Sequence, residues 1–273
     1  MANDYLLHRI LQLGQAPSFD IDRRSLLHAY VACFNFNDLC AAIRSTLHES
    51  TDVRLALRGH MLRLLREIRT PEELSALVSL IDEMLVAAEA EKPLQTIVDA
   101  FCSAVFGHLP VPTQHEILER WLDRGTRGAM ARWLKATRDH PELFNSDVAL
   151  IYWRRSNDYR AAKSLAYQAS KTHLAEILPE IAESCEEGWI IARAATRASS
   201  ISDAVWQTIQ DRNPATYLYL CLKLGRIISD EDAVELVSSC PTRSDERGLA
   251  IWALGQMGMV SVLDRIREAS TSR

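Results

Sequence analysis

Glycine and proline are scarce in this chain, at 10 and 9 of 273 residues. Tight turns draw on both and flexible linkers on glycine, so the composition argues against a β-rich fold and against long linkers. No run of eighteen uncharged apolar residues occurs, and no membrane-spanning helix is expected. The opening Met1-Ala2-Asn3-Asp4-Tyr5 lacks the basic flank and apolar run of a signal peptide. The six cysteines (Cys33, Cys40, Cys102, Cys185, Cys221 and Cys240) include no C-x-x-C pair that would pre-form half a tetrahedral metal site. Most sit among apolar helical residues, so buried reduced thiols and a cytoplasmic location are expected.

Catalytic signatures are also missing. There is no G-x-S-x-G elbow, no phosphate-cradling glycine loop, no G-x-G-x-x-G and no H-E-x-x-H. His115-Glu116 lacks the second histidine one turn later, and the eight histidines are dispersed. Acid clusters such as Cys185-Glu186-Glu187 and Asp230-Glu231-Asp232 fall at predicted helix starts, where the helix dipole favours negative charge. The expectation is a protein with no catalytic residue, no metal and no cofactor.

What the chain does have is apolar content, 48%, ample for a core, and helical periodicity throughout. The net charge of −5 favours solubility and gives no general pull towards nucleic acid or an anionic membrane. Leu74, Leu77, Val78, Ile81, Met84, Leu85 and Ala88 follow the i, i+3, i+4, i+7 spacing of one buried helix face. Thr70-Pro71-Glu72-Glu73 supplies its start: a capping hydroxyl, proline in the first turn and an acid three residues on. Thr113-Gln114-His115-Glu116 and Ser229-Asp230-Glu231-Asp232 offer similar starts. Seventeen helices joined by short breaks are expected, among them 94–107, 113–124, 127–138, 188–198, 214–226 and 244–256. Gly107-His108-Leu109-Pro110-Val111-Pro112 is the clearest break, and a candidate joint within a single domain spanning 1–273.

Internal echoes suggest stacked units. Leu224-Gly225 matches Leu254-Gly255, and Ile201-Ser202-Asp203 matches Ile228-Ser229-Asp230 at an offset of 27 residues. Periods near 25 to 32 residues suit helix pairs stacked on their neighbours. The fold class read from these patterns is an all-α solenoid of stacked antiparallel helix pairs. Arg247-Gly248-Leu249-Ala250-Ile251-Trp252-Ala253-Leu254-Gly255-Gln256-Met257-Gly258, followed by Val260, Leu263 and Ile266, resembles a short HEAT-like repeat of the phycobilisome-lyase type. The resemblance implies an α-solenoid superhelix that binds other macromolecules, and it implies no single activity. Leu254-Gly255 reads as a place where two helices meet closely at a backbone without a side chain.

The regional anomaly is electrostatic. Arg120, Arg124, Arg127, Arg132, Lys135 and Arg138 meet one acid, Asp123, within 120–138, and Arg154, Arg155, Arg160 and Lys163 follow. Trp121, Trp133, Tyr152, Trp153 and Tyr159 are interleaved with them. Arginine pairs bidentately with carboxylate or phosphate, and aromatic faces stack on bases or guanidinium groups. Arg120, Arg124, Arg127, Arg132, Arg154 and Arg155 are therefore the candidate binding residues. The plainer alternative buries the tryptophans and pairs the arginines with the acidic stripe Glu176, Glu180 and Glu183. The functional expectation is a non-catalytic adaptor, inhibitor or immunity-type scaffold that binds a protein partner. The alternative is a nucleic-acid-binding HEAT-like protein, of DNA-glycosylase type, using the basic 120–163 region.

Overall fold

A computed structural model describes residues 2–15, 21–47, 49, 51–65, 68, 70–90, 102–123 and 127–271, and no side chain is described at 2, 3, 87–90, 122, 123, 127–129, 270 and 271. Among the described residues there is no strand, and the fold class is all-α as the periodicity predicts. The chain divides into two compact units, Met1–Val148 and Ala149–Arg273.

The first unit holds α1 (Ala2–Gly14), α2 (Ile21–Val31), α3 (Phe36–Ser45), α4 (Thr51–Leu65), α5 (Pro71–Ala90), α6 (Val111–Asp123) and α7 (Arg127–Asp139). Packing skips one helix: α2 lies on α4 and α3 on α5, while α1 touches α2 and α4. Thr70 caps α5 as predicted, its hydroxyl accepting from the Glu73 amide at 3.2 Å. The break at 107–112 lies within this unit and is tied down. Helix α6 starts at Val111 instead of Thr113, with Pro112 in the first turn where a missing N–H costs no helical bond. Thr113 is accordingly buried inside the helix, not capping it. The Gln114 amide donates to the carbonyls of Phe106 and Leu109, both at 3.0 Å, which satisfies acceptors the break leaves open.

After a 3-10 turn at Pro141–Leu143, α8 (Ser146–Ser156) crosses the boundary between the units. The second unit continues with α9 (Tyr159–Gln168), α10 (Lys171–Ser184), α11 (Gly188–Arg197), α12 (Asp203–Arg212), α13 (Pro214–Leu224), α14 (Asp230–Ser239), α15 (Asp245–Gln256) and α16 (Val260–Thr271). Here α9, α11, α13 and α15 pack each on the next, while α10 packs on α12 and α14 on α16. Odd and even helices thus form two layers, as in a stack of helix pairs. Helix starts recur at 159, 188, 214 and 245 in one layer and at 171, 203, 230 and 260 in the other, near the period read from the sequence. Five of the eight starts share one device. Asp158, Ser170, Ser202, Ser229 and Ser244 each accept a backbone N–H from two or three residues on.

The glycine echo is placed differently from the sequence reading. Gly225 closes α13 in the left-handed conformation at φ 70°, and its counterpart is Gly258 at φ 75°, not Gly255. Matching bonds follow each turn, Arg226 N–H to the Cys221 carbonyl at 3.0 Å and Met259 N–H to the Leu254 carbonyl at 3.1 Å. Gly255 lies inside α15, where a β-carbon would meet Leu263 Cδ1 at an ordinary 3.9 Å. It is not a close-approach glycine; that role belongs to Gly188, against Thr216.

Candidate recognition surface

The six arginines singled out by the sequence do not share one environment. Arg120 is ion-paired in the first unit, Nη2 lying 3.4 Å from Asp82 and Nη1 3.5 Å from Glu116. Arg124 lies outside the described residues, as does the side chain of Arg127. Arg132 is exposed on α7. In the second unit Arg154 grips Glu180 on α10 bidentately, Nε and Nη2 both within 3.0 Å of its oxygens. That carboxylate raises the Arg154 pKa above its ordinary value, and Arg155 beside it is exposed. The acidic stripe predicted to pair with arginine does so at Glu180.

The interleaved aromatics mostly form core. Trp121 and Trp133 are fully buried around Phe106, at centroid distances of 5.3 and 5.1 Å, and the Trp133 indole donates to the Leu143 carbonyl at 3.1 Å. Tyr152 and Trp153 are buried too, Tyr152 donating to Asp158 Oδ2 at 2.8 Å. Of the five aromatics named from the sequence, Tyr159 alone is exposed. The local mixture of arginine and aromatic rings therefore does not make a stacking face within 120–153.

An aromatic and cationic face does exist further along the second unit. On α9, Tyr159, Lys163 and Tyr167 recur every four residues and share one side of the helix. Lys163 Nζ sits over the ring of Trp189 on α11, 5.2 Å from its centroid, and Arg193 of α11 sits over the ring of Tyr167, at 4.7 Å. On α13, Lys223 lies over Tyr219 at 5.6 Å, and Tyr219 stacks on Trp252 of α15 at 6.5 Å. Tyr167, Trp189 and Trp252 are each 44–48% exposed, unusual for rings of this size repeated along one layer. Side chains at the surface thus bridge α9 with α11, and α13 with α15.

Charge follows the layers. Helices α9, α11 and α13 contain no acid at all, whereas α10, α12 and α14 carry Glu176, Glu180, Glu183, Asp203, Asp211, Asp230, Glu231, Asp232 and Glu235. Arg197 spans the basic layer, donating to the carbonyls of Ala166 and Ala169 at 2.7 and 3.1 Å, and so satisfies the end of α9. Its pKa is lowered, chiefly by burial and then by the neighbouring Arg193. Lys163, Arg193 and Lys223 have ring partners and no carboxylate within ion-pair distance among the described contacts. Acids stand at the helix starts of this layer: Asp158 caps α9, Glu187 accepts the Trp189 indole N–H at 2.9 Å, and Asp245 and Glu246 open α15.

Sequence reasoning missed this face because its members are spread from Tyr159 to Trp252, one or two per helix. The available signal was non-local, an absence of acids from alternate helices. No family model, no curated protein and no solved structure matches the chain.

Proposed function

We propose that the chain is a HEAT-like helical-repeat protein that recognises another protein without catalysis, through the layer formed by α9, α11, α13 and α15. The observation that carries the reading is the charge segregation of the second unit, where three successive helices of this layer, α9, α11 and α13, hold no acid and the layer bears exposed aromatic rings. Aromatic residues and arginine concentrate at the centres of protein interfaces, the rings because they bury large area at low entropic cost and arginine because its planar guanidinium offers several donors at once. The C-terminal pair α15–α16 carries the residues that resemble a HEAT-like repeat, and stacked repeats use such layer surfaces to bind extended partners.

The test is a paired capture from native extract. Wild-type protein is compared with a Lys163→Glu/Arg193→Glu/Lys223→Glu variant and with a Glu231→Lys/Glu235→Lys control in the opposite layer. The reading expects one protein held by wild type and control and lost from the triple variant. Retention by the triple variant, or loss from the control alone, overturns it.

A further inference from the structure

The geometry points to an extended acidic polypeptide, with a carboxylate at about every third residue, as the occupant of the α9–α11–α13 surface. The inference rests on the protein-recognition reading above and names the partner's chemistry. Lys163, Arg193 and Lys223 stand one on each of the three successive acid-free helices of this layer. Packed helix axes lie roughly 8–10 Å apart, and an extended chain advances about 3.3 Å per residue. A chain crossing the layer therefore reaches a new cation-bearing helix about every three residues.

The cations are held ready for such a ligand. Each rests on an aromatic face, at 5.2, 4.7 and 5.6 Å from the centroid, and has no carboxylate partner among the described contacts. Resting there localises the charge and leaves outward donors for a carboxylate oxygen. Side chains between the acids lie against the exposed rings of Tyr167 and Trp189, which favours apolar residues there.

The same contacts disfavour nucleic acid. Base stacking needs open ring faces, and here Lys163, Arg193 and Lys223 each occupy one face of Trp189, Tyr167 and Tyr219, which leaves fewer faces for bases than for the smaller side chains of a peptide.

The experiment uses the full chain and three fluorescent probes. One is a peptide with Glu at every third position and Leu and Ser between, the second has the same composition with its Glu residues in one block, and the third is oligo(dT). The spaced peptide is expected to bind more tightly than both others and to weaken as salt rises. Arg193→Ala and Lys223→Ala should each reduce its affinity about tenfold with an unchanged circular-dichroism melt, while Glu231→Lys/Glu235→Lys leaves it unchanged. Equal binding of the blocked peptide, tighter binding of oligo(dT), or no peptide binding overturns the inference. The capture experiment reports separately on whether the layer binds protein at all, so the two failures are distinguishable.

Discussion

A β-carbon added at Gly188 would overlap Oγ1 of Thr216, so the first residue of α11 and the third of α13 meet at a point with room for a hydrogen and no more. Residues of the candidate recognition surface stand on both helices, and this contact sets their separation. Gly188→Ala should cost about 1–3 kcal/mol through overpacking. Gly255→Ala is the contrasting case: it removes a flexible residue from a helix without a clash, and should be neutral or stabilise by about 0.5–1 kcal/mol. Urea unfolding of the two variants checks both signs.

The two left-handed glycines should behave alike. Gly225→Ala and Gly258→Ala place a β-carbon at positive φ, and each should cost about 1–2 kcal/mol although neither site is crowded. A thermal melt that ranks them with Gly255→Ala would contradict the placement of Gly225 and Gly258 as equivalent helix ends.

Tyr152 ties α8 to the cap of α9 through Asp158. Burial first, and then the Asp158 carboxylate, hold its pKa well above the ordinary tyrosine value. The folded state therefore retains the proton more tightly than the unfolded one. The stabilisation is present in full below about pH 10, where unfolded tyrosine titrates, and is lost as pH rises beyond it. Tyr152→Phe should cost about 1 kcal/mol at neutral pH and flatten the alkaline part of the stability profile, measured by urea midpoint against pH.

Thiol chemistry should separate one cysteine from the rest. Cys33 is exposed, while Cys40, Cys102, Cys185, Cys221 and Cys240 are buried and reduced. Burial pushes the Cys40 thiol up to about 11 and raises Cys185, Cys221 and Cys240 in the same direction, so these groups stay protonated and unreactive at mildly alkaline pH. Ellman's reagent should titrate Cys33 rapidly in the native protein and the buried thiols only on unfolding. Rapid native labelling of Cys221 would contradict the packing of α13.

Helix positions were legible because their causes are local. Capping hydroxyls such as those of Thr70 and Ser229 and apolar spacing within one helix are written over a few residues, and they mark the starts of α5 and α14 where the structure has them. The start of α6 was misread because Thr113 offers a capping hydroxyl, whereas Pro112 and the long reach of Gln114 set the boundary two residues earlier. The recognition surface was the least legible part. Arg120 and Arg154 drew notice by local density, yet each faces an acid contributed by a distant helix, Asp82 and Glu180. Lys163 and Trp189 meet only because α9 and α11 are stacked, and no window of sequence shows that.

The most direct measurement is a hydroxyl-radical footprint of the full chain, alone and saturated with the spaced acidic peptide. The account predicts that oxidation of Tyr167 and Trp189 falls on binding, while side chains of α10 and α14 are unchanged. Unaltered oxidation of those two rings in the saturated complex, with protection on α10 or α14, would contradict the assignment of recognition to α9, α11 and α13.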